Sequence, residues 1–358
     1  MSTVLRDRIA GSLYGLVVGD ALGCPVEGWT APQIVHVFGR LTEMEIPHGR
    51  WQIHGLHTDD GQQALALCDA ILADPAHPGI GFARWAVEML QADPFRATGL
   101  HRGAGSNFLR TVTALAQGTP WDQAATISAG NGAAMRIAPV ALYHRNNWQK
   151  LLESVVDVSQ VTHRDIRGVA AAGAVAYLVA RALTHHGPAC ALGDDSLLAF
   201  IHAIENTCAN RFSTTAHQHD FSQAVGHILP MLDRELAAIL SAITMLAQTG
   251  TFPPAGATDG FALGSVLTAI VMFLRSQDFE QTLIETVMLG GDTDTTGAMV
   301  GQMCGALYGK AAIPLRWLQA LVACGALEDR IDALLEQRAG FRPAVSAIAL
   351  EQQWTRDI

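Results

Sequence analysis

The 358-residue chain carries 33 Asp and Glu against 23 Lys and Arg, a formal charge of −10 with histidines neutral, and shows no run of basic residues. That balance argues against nucleic acid or an anionic membrane as a direct partner, so an anionic ligand would have to be held by local dipoles. With 49% apolar and 16% charged residues the chain can bury a large core, and no linker is long or polar enough to divide it. The expectation is a compact, soluble, all-α, multi-helical single domain over 1–358, with 321–358 as a peripheral helical extension.

The first predicted helix opens the chain. Arg6 and Arg8 precede an apolar run ending Ala21-Leu22-Gly23-Cys24, superficially like a lipoprotein signal, but Asp20 interrupts the run. Apolar periodicity then predicts helices over 62–72, 82–90, 107–116, 166–182, 196–205, 233–247, 262–274 and 328–338, and strand-like alternation is nearly absent. Stretches rich in turn-forming residues at 24–57, 74–81, 210–220 and 248–260 connect them. The apolar stretches 168–180 and 263–274 are too short to cross a bilayer and end in Arg181 and Arg275, so no transmembrane segment is expected. Cys24, Cys68, Cys190, Cys208, Cys304 and Cys324 form no C-x-x-C pair and sit mostly in apolar helical stretches, as buried reduced thiols of a cytoplasmic protein would. A monomer is expected.

Two helices carry glycine at every fourth position. Gly11, Gly15, Gly19 and Gly23 recur in the first, and Gly297, Gly301, Gly305 and Gly309 in one near the end. An interior helical glycine costs about 1 kcal/mol relative to alanine, so the stripes imply a compensating close approach. Either the two stripes face each other or each faces a different neighbour.

The second stripe follows Gly290-Gly291-Asp292-Thr293-Asp294-Thr295-Thr296, and a cluster of similar composition, His57-Thr58-Asp59-Asp60, lies near the start. Taken singly, each is an ordinary helix N-cap. Taken together, they are hard oxygen donors suited to Mg²⁺ or Mn²⁺ rather than zinc or copper. Carboxylates crowded in one pocket raise one another's pKa, a penalty that one or two dications remove. Gly290-Gly291 permits a sharp turn, Asp292 and Thr295 share a helix face, and Asp294 projects from the first turn. Asp59 and Asp60 point about 100° apart on a helix, so they can touch two ions or bracket one. Gly61 and Gln62 complete the turn, with no chemistry assigned.

Gly19-Asp20-Ala21-Leu22-Gly23 with Pro25-x-Glu27, Thr58-Asp59-Asp60, Gly103-Ala104-Gly105-Ser106, Gly130-Asn131-Gly132-Ala133-Ala134-Met135-Arg136, Thr162-His163 and Gly290 through Thr295 occur in that order. The series resembles the ADP-ribosylglycohydrolase family from about Gly11 to Pro314. The resemblance implies an all-α fold around a dinuclear Mg²⁺ or Mn²⁺ cleft that cleaves ADP-ribose from an acceptor, a modified protein side chain or a small molecule. It implies Thr58, Asp59, Asp60, Asp292, Asp294 and Thr295 as metal ligands and Glu27 on a mobile loop above them. Glu27, Asp59 and Asp60 are the candidates for proton handling at an oxocarbenium-like transition state. Gly103, Gly105 and Ser106 lead into a helix whose N–H groups suit a pyrophosphate; by the resemblance Asn131 and Gly132 would line the same cleft, and His163 would lie on the ribose side or behind the residues that touch the ligand.

Without the resemblance, Glu27 reads as a solvated loop carboxylate, the Gly-x-Gly-Ser stretch as a loop, His163 as a cap or core residue and Arg136 as an internal salt-bridge partner. Two departures stand out. Ala129 replaces the aromatic residue that some members place before Gly-Asn-Gly, which leaves Trp121, Tyr143 and Phe108 as options for stacking adenine. Gly61 stands where many relatives have Thr. His185-His186 and His217-x-His219 read as solvated surface, with no Cys or carboxylate set at suitable spacing. The alternative functions are a catalytically silent ADP-ribose binder and a dinuclear phosphoester hydrolase.

Overall fold

Glycine at every fourth position gives a helix one face without side chains, and two such faces can approach until backbone meets backbone. In the computed structural model, which describes residues 2–47, 51, 53–248 and 255–355, the helices Ser2–Gly23 and Thr293–Tyr308 meet in this way. They are antiparallel, with Gly11 against Gly305, Gly15 against Gly301 and Gly19 against Gly297. A Cβ at any of these six positions would come within 3.0 Å of the facing backbone. The register runs on at both ends, where Gly23 meets Thr293 and Gly309 meets Asp7. Of the two readings of the stripes, mutual contact is the one observed, and close backbone packing offsets the helical penalty of the glycines.

Around this pair the described residues form eighteen α-helices, four short 3-10 turns and no strand. Helices Ile166–Ala182 and Ala262–Leu274 follow the apolar periodicity and are buried along nearly their whole length. Several boundaries differ from expectation, among them Pro78–Gln91, Leu236–Gln248 and Glu328–Leu335, and helices such as Trp148–Ser159 and Phe279–Val287 lie outside the predicted ranges. One helix starts at Asp59 rather than at 62 because Thr58 caps it, and another continues from Asp195 to Phe212, past the polar Asn206, because Cys208 and Ala209 still face the core. Parts of the connecting stretches 24–57 and 248–260, and the last three residues of 321–358, lie outside the described residues.

Among the described residues, Thr3–Val26 is long and apolar enough to cross a membrane, and its most apolar window is wholly buried inside the protein. Cys190 and Cys324 are exposed, while the other four cysteines are buried.

The helix Ala347–Trp354 docks behind Asp59–Ala73 through one carboxylate. Glu351 is fully buried; His57 Nε2 lies 2.9 Å from its Oε1, and Gln62 Nε2 (2.8 Å) and Arg102 Nη1 donate to its Oε2. Arg102 also donates from Nε to the His57 carbonyl, and Gln62 donates to the Leu100 carbonyl. Burial alone would raise the Glu351 pKa, but the charges of Arg102 and His57 and the donated hydrogen bonds bring it down to about 2.

Gly301→Val should cost about 3 kcal/mol or more, because the facing carbonyl of Gly15 cannot yield without breaking the helix pair. Urea unfolding measures this, and an unchanged midpoint would contradict the close seam. Glu351→Ala should cost about 3 kcal/mol by leaving Arg102 buried and unpaired. A depressed carboxyl stabilises above its ordinary value and loses that contribution as pH falls toward 2, so the variant's deficit in unfolding free energy should shrink below about pH 4.

Candidate functional site

The glycine seam ends where the two acidic clusters begin. Thr293 Oγ1 donates to the Gly23 carbonyl (2.8 Å), which seats Asp292 and Asp294 beside the end of the first helix. One turn earlier, Asp20 reaches sideways and accepts from the backbone N–H groups of Thr58 (2.9 Å) and Gly61 (2.8 Å). A carboxylate from the first helix thus satisfies amides that the Asp59–Ala73 helix leaves open, and its charge complements that helix's dipole. Asp20 belongs to the Gly19-to-Gly23 motif of the sequence, but this capping role is visible only in the fold.

Thr58 is an N-cap, as its residue type suggests, and its Oγ1 accepts from Asp60 N (3.3 Å). It is fully buried at the start of its helix, and Asp59, Asp60, Asp292, Asp294 and Thr295 line the cleft. Gln63 Nε2 donates to Asp59 Oδ2 (2.6 Å), and Arg136 Nη1 donates to Gln63 Oε1 (2.5 Å). Arg136 Nη2 donates to Thr162 Oγ1 (2.6 Å), which lies 2.7 Å from His163 Nδ1. Arg136 therefore bonds to neutral partners rather than forming the expected salt bridge. Burial lowers its pKa to about 9, against the opposing charges of Asp59 and Asp60. His163 is held neutral, its pKa lowered to about 3 by burial and then by Arg136. The Thr162 hydroxyl, which accepts from Arg136, can donate to Nδ1, and in that tautomer the imidazole proton sits on Nε2, beside Gly130 and Gly132.

At the other cluster, Gly290 and Gly291 have φ of +76° and +82°, and a Cβ on Gly291 would strike Thr258. This turn aims Asp292 at Asn131, whose Nδ2 donates to Asp292 Oδ2 (2.6 Å) and to Ser265 Oγ (3.0 Å). Thr295 N donates to Asp294 Oδ1 (2.9 Å). Glu27 follows the short turn Cys24–Val26, and one oxygen each from Glu27, Asp292 and Asp294 lie within 4.8 Å of one another. Backbone hydrogen bonds join this loop to the second cluster, with Gly28 N donating to the Gly291 carbonyl (2.7 Å) and Gly291 N to that of Trp29 (2.8 Å).

Four helix N-termini, beginning at Asp59, Ser106, Gly132 and Thr293, surround a cleft of about 520 Å³. Gly103, Gly105, Ser106, Asn131, Gly132 and His163 all line it. Gly103 has φ +75°, a turn conformation, whereas a Cβ on Gly105 would meet nothing within 4 Å. A larger cavity of about 990 Å³ adjoins the cleft through Asn107, Ser128, Gly130, Asp259 and Gly260 but holds no acidic cluster. Of the three adenine-stacking options only Phe108 lines the cleft. Tyr143 donates to the Gln337 carbonyl instead, and the adjoining cavity contains Phe212 and Phe261, which sequence reasoning missed. Glycine at 61 also has a cause, because a Cβ there would lie 2.6 to 2.9 Å from the His57 side chain, which fills that space and reaches Glu351.

Burial raises the carboxylate pKa values first, and mutual repulsion adds to it. Asp59 is pushed up to about 8, with Asp20, Glu27 and Asp292 contributing, and Asp60 and Asp294 lie well above the ordinary aspartate range. Asp60 Oδ2 is buried with no hydrogen-bond partner among the described residues. An oxygen-only donor set with an orphaned buried oxygen fits a hard divalent cation.

Residues 1–343 match the sequence model of the ADP-ribosylglycohydrolase family, and the chain belongs to it. It is 29% identical to the ADP-ribosyl-[dinitrogen reductase] glycohydrolase of Rhodospirillum rubrum, over 92% of this chain and 96% of that one. It is 25% identical to ADP-ribosylhydrolase ARH3 of Homo sapiens, over 87% and 88% of the two chains. A solved structure titled ADP-ribosylglycohydrolase-related protein complex superposes with a TM-score of 0.66 at 29% identity, covering 94% of this chain and 99% of that one.

Carboxyl groups whose pKa values are raised by burial give up protons when a cation binds. Calorimetric titration with Mg²⁺ or Mn²⁺ near pH 7 in buffers of different ionisation enthalpy should register net proton release. The sign for stability follows from the raised pKa of Asp59, since folding of the cation-free protein should weaken as pH rises toward 8. No proton release would contradict the crowded-carboxylate geometry.

Proposed function

We propose that this chain hydrolyses the glycosidic bond between ADP-ribose and an acceptor, with Mg²⁺ or Mn²⁺ held at the carboxylate cluster. The observation that carries this reading is the convergence of Asp59, Asp60, Asp292 and Asp294 with Glu27, Asn131 and His163 on one cleft. Family membership and the names of the relatives support it. Asp59, Asp60, Asp292, Asp294 and Thr295 would hold the cations, with Thr58 contributing through its remaining lone pair. When bound, the cations would neutralise the cluster and polarise oxygens of substrate and water.

The chain's own groups do the rest. Asn131 fixes the Asp292 carboxylate and Gln63 fixes that of Asp59, so neither has to reorient as charge develops. Glu27, partly exposed at the rim, is placed to exchange protons with water and with the leaving group. His163 offers Nε2–H as a neutral donor to a ribose hydroxyl, because burial keeps it uncharged. The open helix N-terminus at Ser106 supplies the anion-binding dipole that an acidic protein otherwise lacks.

Arginine- and serine-linked ADP-ribosyl peptides, incubated with Mg²⁺ or Mn²⁺ and with EDTA, test the reading by release of free ADP-ribose. Release should stop in EDTA, fall about 1,000-fold or more in Asp294→Ala, and fall about 100-fold in Glu27→Gln with KM nearly unchanged. Tight ADP-ribose binding without release from any linkage would instead identify a binding protein.

A further inference from the structure

The helix Asp195–Phe212 and the loop after it carry a second group of donors, away from the acidic cleft. One donor atom from each of His202, Glu205 and His219 lies within 4.8 Å of the others. Glu205 is fully buried, and its Oε2 has no hydrogen-bond partner among the described residues. That oxygen faces the Nδ1 atoms of both histidines, at 3.4 Å from His202 and 3.5 Å from His219. Donors bound about 2.0 to 2.1 Å from a tetrahedral ion lie about 3.3 Å apart, so little movement would close them around one.

We propose that His202, Glu205 and His219 form a binding site for Zn²⁺ or a similar late first-row ion, separate from the carboxylate cleft. The chemistry differs from that of the cleft, since two imidazoles and one carboxylate suit a borderline ion rather than magnesium. Ser222 N donates to Glu205 Oε1 (2.9 Å), which fixes the carboxylate with its other oxygen toward the histidines. The two histidines are half exposed, so the fourth position opens to solvent and admits a water. His217 and His219 are both exposed, as their loop setting suggests, and what the loop alone does not show is the carboxylate beside His219. His219 belongs to the site, His217 pairs with Asp220 (2.7 Å), and the carboxylate comes from the preceding helix, where loop spacing could not show it.

An ion here would tie the 213–219 segment to the Asp195–Phe212 helix. Phe212, Thr214, Ala216 and His217 line the larger cavity beside the cleft, so the ion would fix that cavity's wall. Titration of the full chain with Co²⁺, then displacement by Zn²⁺, tests the site. Wild-type protein should show the intense visible bands of a low-coordinate nitrogen-ligated ion, which an octahedral oxygen site does not give. His202→Gln and His219→Gln, both at exposed positions, should lose those bands and bind Zn²⁺ at least about tenfold more weakly. Asp294→Ala should retain them. Wild-type protein without the bands, or histidine variants that titrate like wild type, would overturn the proposal.

Discussion

Backbone contact between the first helix and Thr293–Tyr308 is the constraint on which the rest depends. Because Gly11, Gly15 and Gly19 face Gly305, Gly301 and Gly297, the pair has one register, and sliding by a single residue would drive side chains into carbonyls. That register sets where Asp20, Glu27, Asp292 and Asp294 stand relative to one another. A packed apolar interface tolerates small adjustments, whereas a seam without side chains does not. The acidic site is therefore built on a backbone-to-backbone contact, which holds its crowded carboxyl groups together.

A second layer holds the Asp59–Ala73 helix from both ends of the chain. Asp20 caps its start from one side, and Glu351 binds His57, Gln62 and Arg102 from the other. The residues between them, Asp59 and Asp60, have few degrees of freedom left. This arrangement also accounts for Gly61, whose missing side chain makes room for the imidazole that reaches Glu351.

Helix content, most helix positions and the two acidic clusters were legible from periodicity and residue type. So was the need for close approach along the glycine stripes, although their partner was not, since spacing along one helix says nothing about what faces it. Residues of the support network were the hardest to find. Gln63 and Arg136 are buried polar residues whose partners, Asp59, Thr162 and one another, are set by the fold, and Glu351 lies near the far end of the chain. Such roles are defined by three-dimensional pairing and leave no local signature. Glu205 shows the same limit, because a buried carboxylate in a helix becomes informative only once two histidines from other turns are seen around it.

The central pair also joins segments nearly three hundred residues apart in the chain. On a ribosome the apolar amino-terminal helix emerges long before its mate, with its glycine face bare and its lipophilic flanks exposed. Contacts of such long range form slowly and leave surfaces open to wrong association. Close packing of this pair can therefore be completed only once translation has passed that distant partner.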